Sequence, residues 1–114
     1  MKVAVIGSRQ FTDLDISGFI PSETTLIISG GARGIDTLAE RYAVNHGIPI
    51  QIFYPDYEAF GRSAPLVRDR LIVEACDFLV AIWDAQSRGT KYTIDYARKL
   101  HKPLRIYLPY SHHE

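Results

Sequence analysis

The chain has 114 residues, 13 Lys+Arg against 13 Asp+Glu, a hydrophobic fraction of 46% and a single Cys. That describes one domain of ordinary size, ~100 to 150 residues, with enough apolar content for a core, and the lone Cys excludes a disulfide framework and zinc sites built from several thiolates. No apolar run approaches the ~20 residues that span a bilayer, and no Lys/Arg-rich run offers a footprint for nucleic acid or a membrane surface.

Met1-Lys2-Val3 leads straight into a strand pattern rather than a signal peptide, so a cytoplasmic protein is expected, with one domain over 1–110 and a short tail at 111–114. The first strand is predicted at Val3-Ala4-Val5-Ile6. The connection from Phe11 to Pro21 is interrupted by Asp13, Asp15 and Gly18, which predicts a short or irregular helix of at most about three turns. A second strand, Thr25-Leu26-Ile27-Ile28, precedes Ile35, Leu38, Ala39, Tyr42 and Ala43 at helical spacing. That helix should stop near Asn45-His46-Gly47, where glycine accepts the left-handed conformation.

The third strand is predicted from Ile50 to Tyr54, and the long connection from Asp56 to Ala64, which carries Arg62, is a candidate flap. Next comes a helix with Leu66, Val67, Leu71, Ile72 and Ala75 on its apolar side, then a fourth strand from Phe78 to Trp83. A last helix carries Thr93, Tyr96, Ala97 and Leu100 on one stripe and ends near His101-Lys102-Pro103, and Leu104 to Leu108 is the fifth strand. Strands that are apolar at nearly every position are buried on both faces, as in a parallel sheet covered by helices. Right-handed crossovers then give an α/β, Rossmann-like, doubly wound five-stranded parallel sheet in the order 3-2-1-4-5, with helices on both faces. In such sheets the ligand crevice lies beyond the carboxyl ends of the strands, here between the first and fourth.

The residues after each strand are therefore the ones that bear on function. Gly7-Ser8-Arg9 follows the first strand, and Ser29-Gly30-Gly31-Ala32-Arg33-Gly34-Ile35-Asp36 follows the second. Glycines admit a close ligand and the free amides of a helix start favour an anion, although any strand-to-helix turn also favours Gly, Ser and Asp for structural reasons. Asp84-Ala85-Gln86-Ser87-Arg88-Gly89-Thr90 repeats that chemistry after the fourth strand, where Ser87 and Thr90 either cap the helix or hydrogen-bond a phosphate or ribose. Neither the dinucleotide fingerprint Gly-x-Gly-x-x-Gly nor the P-loop pattern is present. Convergence of these loops at the switch point is what raises them above ordinary turns.

Gly7-Ser8-Arg9, the run from Ser29 to Asp36, Pro65-Leu66-Val67-Arg68-Asp69-Arg70, and Ser87-Arg88-Gly89-Thr90-Lys91 with Thr93 together resemble the SLOG superfamily, through nearly the whole chain. That superfamily includes the DprA/Smf DNA-processing proteins and the LOG phosphoribohydrolases, and the Ala32 to Asp36 run with the Arg68 segment is most similar to the DprA and YspA-like branches. The resemblance implies binding of a nucleotide or a nucleotide-derived, ADP-ribose-type ligand by a sensor or sequestering domain. It gives a ligand-binding role to Gly7, Ser8, Arg9, Gly30, Gly31, Arg33, Gly34, Asp36, Arg68, Ser87, Gly89 and Thr90, with Ser29, Asp69 and Thr93 as further candidates. A LOG-like phosphoribohydrolase or N-glycosidase is the first alternative, and single-stranded DNA binding of the DprA kind the second. Superfamily domains often pair, so a homo-oligomer with a shared crevice is compatible with the resemblance.

The departures bear on activity. LOG enzymes carry a carboxylate where counting from Gly89-Thr90 reaches Thr93, and a threonine supplies no such charge, so no catalytic residue is assigned. Arg68 is followed by Asp69 where the DprA-type segment usually has Asn. Asp69 either orients Arg68 or Arg70 or receives a ribose hydroxyl. No cofactor or metal is expected. Cys76, without a nearby His, reads as core packing. His46 and His101 read as helix-end residues, His112-His113 as a tail, and Tyr54, Tyr57 and Trp83 as aromatics placed to pack at sheet ends or to stack on a base.

Overall fold

Val3 to Ile6 are apolar at every position because β1, Lys2–Gly7, is the middle strand of the sheet and is covered on both faces. The computed structural model describes residues 1–109, so the tail at 111–114 with His112-His113 lies outside the described residues. The other strands are β2, Leu26–Ser29, β3, Ile50–Ile52, β4, Phe78–Ile82, and β5, Leu104–Tyr107. They form one parallel sheet in the order β3-β2-β1-β4-β5, with Val3 opposite both Ile27 and Phe78.

Alternate residues of β1 serve different layers, as the two-residue period of a strand requires. Val3 and Val5 join Ile27, Val80 and Ile82 on one face. Helix α1, Ile35–Asn45, covers that face with Ile35, Leu38, Ala39 and Ala43, and the first connection adds Phe11, Ile16 and Ile20. Ala4 and Ile6 join Ile28, Leu79 and Ala81 on the other face. There α3, Ala64–Ala75, contributes Ile72 and Val73, and α4, Arg88–Lys99, contributes Ile94 and Ala97, while Cys76 is buried just beyond α3. Burial pushes the Cys76 thiol up, away from the reactive thiolate.

The first connection differs from a helix. It is irregular apart from one 3-10 turn, Ser17–Phe19, and holds its place by side chains, with the Phe19 ring stacked on Tyr107 at a 4.3 Å centroid distance. In the connection from Asp56 to Ala64, α2, Tyr57–Phe60, is capped by the Asp56 carboxylate, which accepts the Ala59 N–H at 3.1 Å, and a second 3-10 turn, Gly61–Ser63, leads into α3.

The predicted stripe on α3 has the wrong phase. Leu66 and Leu71 are 38% and 44% exposed, and the buried row is Ala64, Arg68, Ile72 and Val73. A charged residue occupies an inward position there, so a pattern of apolar residues alone points to a face rotated from the real one. On α4 the buried face is Thr90, Thr93, Ile94 and Ala97, with Leu100 exposed beyond the helix end. His46 closes α1, its Nδ1 2.9 Å from the Tyr42 carbonyl oxygen and its ring stacked on Tyr42.

Candidate functional site

The carboxyl ends of β1, β2 and β4 border a cavity of about 370 Å³ at the point where the winding reverses. Its wall is built from Ile6 and Gly7 at the end of β1, Arg9 and Gln10 after it, Ala32 and Asp36 after β2, the stretch of α3 from Pro65 to Ile72, and the segment from Asp84 to Thr90 with Thr93. Ser8 holds these segments together without lining the cavity. Buried at 1% exposure, it donates its N–H to the Ile82 oxygen at 3.1 Å, accepts the Asp84 N–H on Oγ at 3.0 Å, and accepts the Ile35 N–H on its carbonyl at 3.4 Å.

The glycine-rich turn after β2 is closed from both sides. Within it, Asp36 Oδ2 accepts the Ala32 N–H at 3.0 Å, and the Thr37 hydroxyl donates to the Ala32 carbonyl at 3.2 Å. From α3, the Arg68 guanidinium donates through Nη1 to the Gly30 carbonyl and through Nε to Asp69 Oδ1 at 2.8 Å. Gly31 and Gly34 adopt φ of +70° and +80°, which favours glycine, and the space beside them is already filled. A Cβ on Gly31 would lie 2.6 Å from the Tyr54 ring, and one on Gly34 would lie 2.5 Å from the Arg9 backbone. The glycines therefore let protein approach protein. This differs from the expectation that they clear a path for a ligand.

Across the cavity, α4 presents its N-terminus. Asp84 Oδ1 accepts the Gln86 and Ser87 N–H groups at 2.9 and 2.8 Å, and Trp83 Nε1 donates to the Ser87 carbonyl at 3.0 Å, so the loop is fixed from both ends. Trp83 braces the loop and does not line the cavity. Ser87 is the N-cap residue but makes no capping bond, its Oγ lying 3.3 Å from Thr90 Oγ1. The first intrahelical bond runs from the Lys91 N–H to the Ser87 carbonyl, so the amides of Gly89 and Thr90 precede it and lie along the cavity wall. A Cβ on Gly89 would meet nothing within 4 Å, so the approach to these amides is open. The positive end of a helix and a set of free donors favour an anion there.

Three carboxyl groups, those of Asp36, Asp69 and Asp84, also line the cavity. Burial pushes the Asp36 carboxyl up to about 6, against the pull of the Ala32 amide and the Arg68 charge. Burial likewise raises Asp69, opposed chiefly by Arg68 and then by the Thr93 hydroxyl and Arg9. Burial acts upward on Asp84 too, but the Ser87 and Gln86 amides outweigh it and hold that carboxylate lower than usual.

Of the residues singled out from the sequence, the structure gathers Gly7, Arg9, Asp36, Arg68, Asp69, Ser87, Gly89, Thr90 and Thr93 around the cavity. Ser8, Ser29, Gly30, Gly31 and Gly34 stand behind its wall, and Arg33 is exposed outside it. Ser29 Oγ is buried with no hydrogen-bond partner. Asp84, Pro65 and Leu66 lay in the loops and segments already quoted, whereas Ile6 and Ile72 carry no signal that separates a cavity wall from a core. Among the described residues no cluster of His, Cys, Asp and Glu has the makings of a metal site. No helix among them is long and apolar enough to cross a membrane. No family model, curated protein or solved structure matches this chain.

Proposed function

We propose that the chain binds a nucleotide or nucleotide-derived small molecule in this cavity, as a sensor or sequestering domain. One observation carries the reading: the open N-terminus of α4, with Gly89 and Thr90, faces a cavity at the switch point of a doubly wound sheet, beside Arg9 and an apolar wall of Ile6, Leu66 and Ile72. The resemblance to the SLOG superfamily supports the same ligand class. At about 370 Å³ the cavity is at the small end of the ~300 to 1,000 Å³ typical of ligand sites, which suits a mononucleotide. An ADP-ribose-length ligand would run out past the rim.

Native mass spectrometry for a co-purifying nucleotide, followed by calorimetry with AMP, ADP, ADP-ribose, NAD and cyclic nucleotides, tests the proposal. A defined bound mass or a saturable heat is expected. Silence across the whole panel overturns it.

The second reading, an N-glycosidase acting on such a ligand, is favoured by Asp36. Its buried carboxyl, with pKa raised to about 6, can hold a proton close to neutral pH, a capacity that Thr93 lacks. Incubation with nucleoside monophosphates and chromatography for free base tests it, and no release above the uncatalysed rate rules it out.

A further inference from the structure

We propose that the open edge of β5, with the basic corner formed by Arg98, Lys99, His101 and Arg105, docks an extended acidic segment of a partner protein. The charge is not contiguous in the sequence, but the fold gathers it. From Tyr96 to Pro109 there is no Asp or Glu, and the chain as a whole has 13 Lys+Arg against 13 Asp+Glu, so a positive corner leaves the remainder acidic. Arg98 and Lys99 occupy the last turn of α4, His101 follows the helix end, and Arg105 lies on β5. All four are exposed, and none of their side chains makes a hydrogen bond or an ion pair with any described residue. Lys102, between them, is by contrast committed through Nζ to the Cys76 carbonyl at 2.6 Å. The surface lies apart from the cavity, none of whose lining residues belongs to it.

Helix-end stabilisation accounts for only part of this cluster. Arg98 and Lys99 gain from the negative end of the α4 dipole, whereas Arg105 is on a strand. His101 takes a left-handed φ of +56°, where glycine is the ordinary residue, and its ring makes no hydrogen bond or ring contact that offsets the cost. Protection of a bare sheet edge is not sufficient either, since the opposite edge, β3, is Ile50-Gln51-Ile52 and carries no charge.

The edge itself points to a peptide. β5 pairs with β4 alone, so no described strand takes up the backbone groups along its other side. An added strand would do so, and its side chains would alternate between the two faces of the sheet. Arg105 alternates with Leu104 and Ile106, which places it on the face of Tyr107, while α4 with Arg98 and Lys99 covers the other. Carboxylates on an added strand therefore find cations on either face, and Leu100 and Leu108, 42% and 40% exposed, supply apolar contact. A phosphate polymer offers neither peptide groups for the edge nor an apolar side chain. A flat anionic surface would press on the acids at the margins of the corner, Asp77 beside Cys76 and Asp95 one turn before Lys99.

An eight-residue peptide alternating Glu with Val, labelled at its N-terminus, tests this by fluorescence anisotropy on the full chain. It is compared with the same peptide carrying Lys for Glu and with an oligothymidylate of equal charge. Only the Glu peptide should bind, with affinity that falls as salt rises. Arg98→Gln combined with Arg105→Gln should weaken it by about 3- to 30-fold, the loss of two exposed ion pairs, while Arg41→Gln on α1 stays at the parent's value. Amide resonances from Arg98 to Leu108 should shift on titration, and those of Gly89 and Thr90 should not. Shifts centred on Gly89 and Thr90 would overturn the inference by placing the acid in the cavity. Absence of binding by the Glu peptide, or equal binding in the double variant, also overturns it. Oligothymidylate binding at least as tightly as the peptide overturns it too, by assigning the corner to a phosphate polymer.

Discussion

Arg68 donates to the carbonyl oxygen of Gly30, 38 residues earlier in the chain, and so ties α3 to the turn that opens α1 across the end of the sheet. The side chain is 8% exposed and also holds Asp69. Removing its charge leaves Asp69 partly buried without a cation and the Gly30 carbonyl without its donor. Arg68→Met, which keeps much of the stem, should cost about 3 to 5 kcal/mol in urea unfolding. Arg68→Lys should recover only part of this, because a single ammonium lacks the fork that reaches both partners. A loss below about 1 kcal/mol for Arg68→Met would show that the tie is incidental.

Stability should rise as pH falls from 7 toward 5. The Asp36 carboxyl lies at about 6 in the folded chain against 3.8 as a reference, so between these values the folded state binds the proton more tightly than the unfolded one. The ionised group therefore costs stability at neutral pH, and protonation relieves that cost as pH drops through 6. The full effect is on the order of 3 kcal/mol, and Asp69, raised by the same cause, acts in the same direction. Urea midpoints at pH 7, 6 and 5 should climb for the parent and flatten for Asp36→Asn, which keeps an acceptor for the Ala32 N–H. An unchanged slope in the variant would exclude Asp36 as its source.

Two glycines should separate folding from binding. Gly34→Ala places a Cβ on the Arg9 backbone at φ of +80°, and strain of this kind costs at least ~1 to 3 kcal/mol before the clash is counted. Gly89→Ala has open space and a helical position, so thermal unfolding should be unchanged or raised by up to about 1 kcal/mol in stability. Because that methyl group stands beside the α4 amides, nucleotide affinity should nevertheless fall. Equal affinity in Gly89→Ala and the parent would move the phosphate away from α4.

Arg9 and Arg33 should behave differently. Arg9 lines the cavity and Arg33 does not, although both lie in loops that follow strands of the sheet. Arg9→Ala should weaken nucleotide binding by about 10- to 100-fold, as expected for the loss of a charge-assisted bond, with Arg33→Ala close to the parent. Calorimetry on the two variants in parallel decides it. The reverse ranking would shift the anion to the outer side of the glycine-rich turn.

Single-stranded DNA should bind weakly. Backbone affinity follows from neutralised phosphates, and 13 basic residues are balanced by 13 acidic ones, several of the latter in the cavity itself. Fluorescence anisotropy at physiological salt measures this directly. Sub-micromolar affinity with a steep salt slope would favour nucleic acid over a small ligand.

The sheet was legible in the sequence because its strands are short, apolar on both faces and separated by helical spacing. Val3 to Ile6 and Phe78 to Trp83 leave few alternatives to buried parallel strands, and the order 3-2-1-4-5 follows from handedness. The phase of α3 was not legible, because it depends on a buried arginine whose partners, Gly30 and Asp69, are a matter of tertiary structure. The same limit applies to the turn after β2. Its glycines mark a close approach, but whether the approaching atoms belong to a ligand or to Tyr54 and Arg9 is decided only by the fold. Asp36 was legible as a site residue by position, and its raised pKa was not, since burial has no signature in residue type.

The central position of β1 also has a consequence for how the chain is made. Synthesis delivers this strand before the other four of the sheet, and one of its edges is met early, when Leu26–Ser29 emerges. The other edge waits for Phe78–Ile82, and the Phe19 ring waits longer still, for Tyr107. Until then the nascent chain carries an open row of backbone donors and acceptors flanked by Val and Ile, the kind of edge that recruits other strands. Completing the sheet thus depends on long-range pairing that comes late in synthesis, and the growing polypeptide, more than the finished domain, exposes that edge.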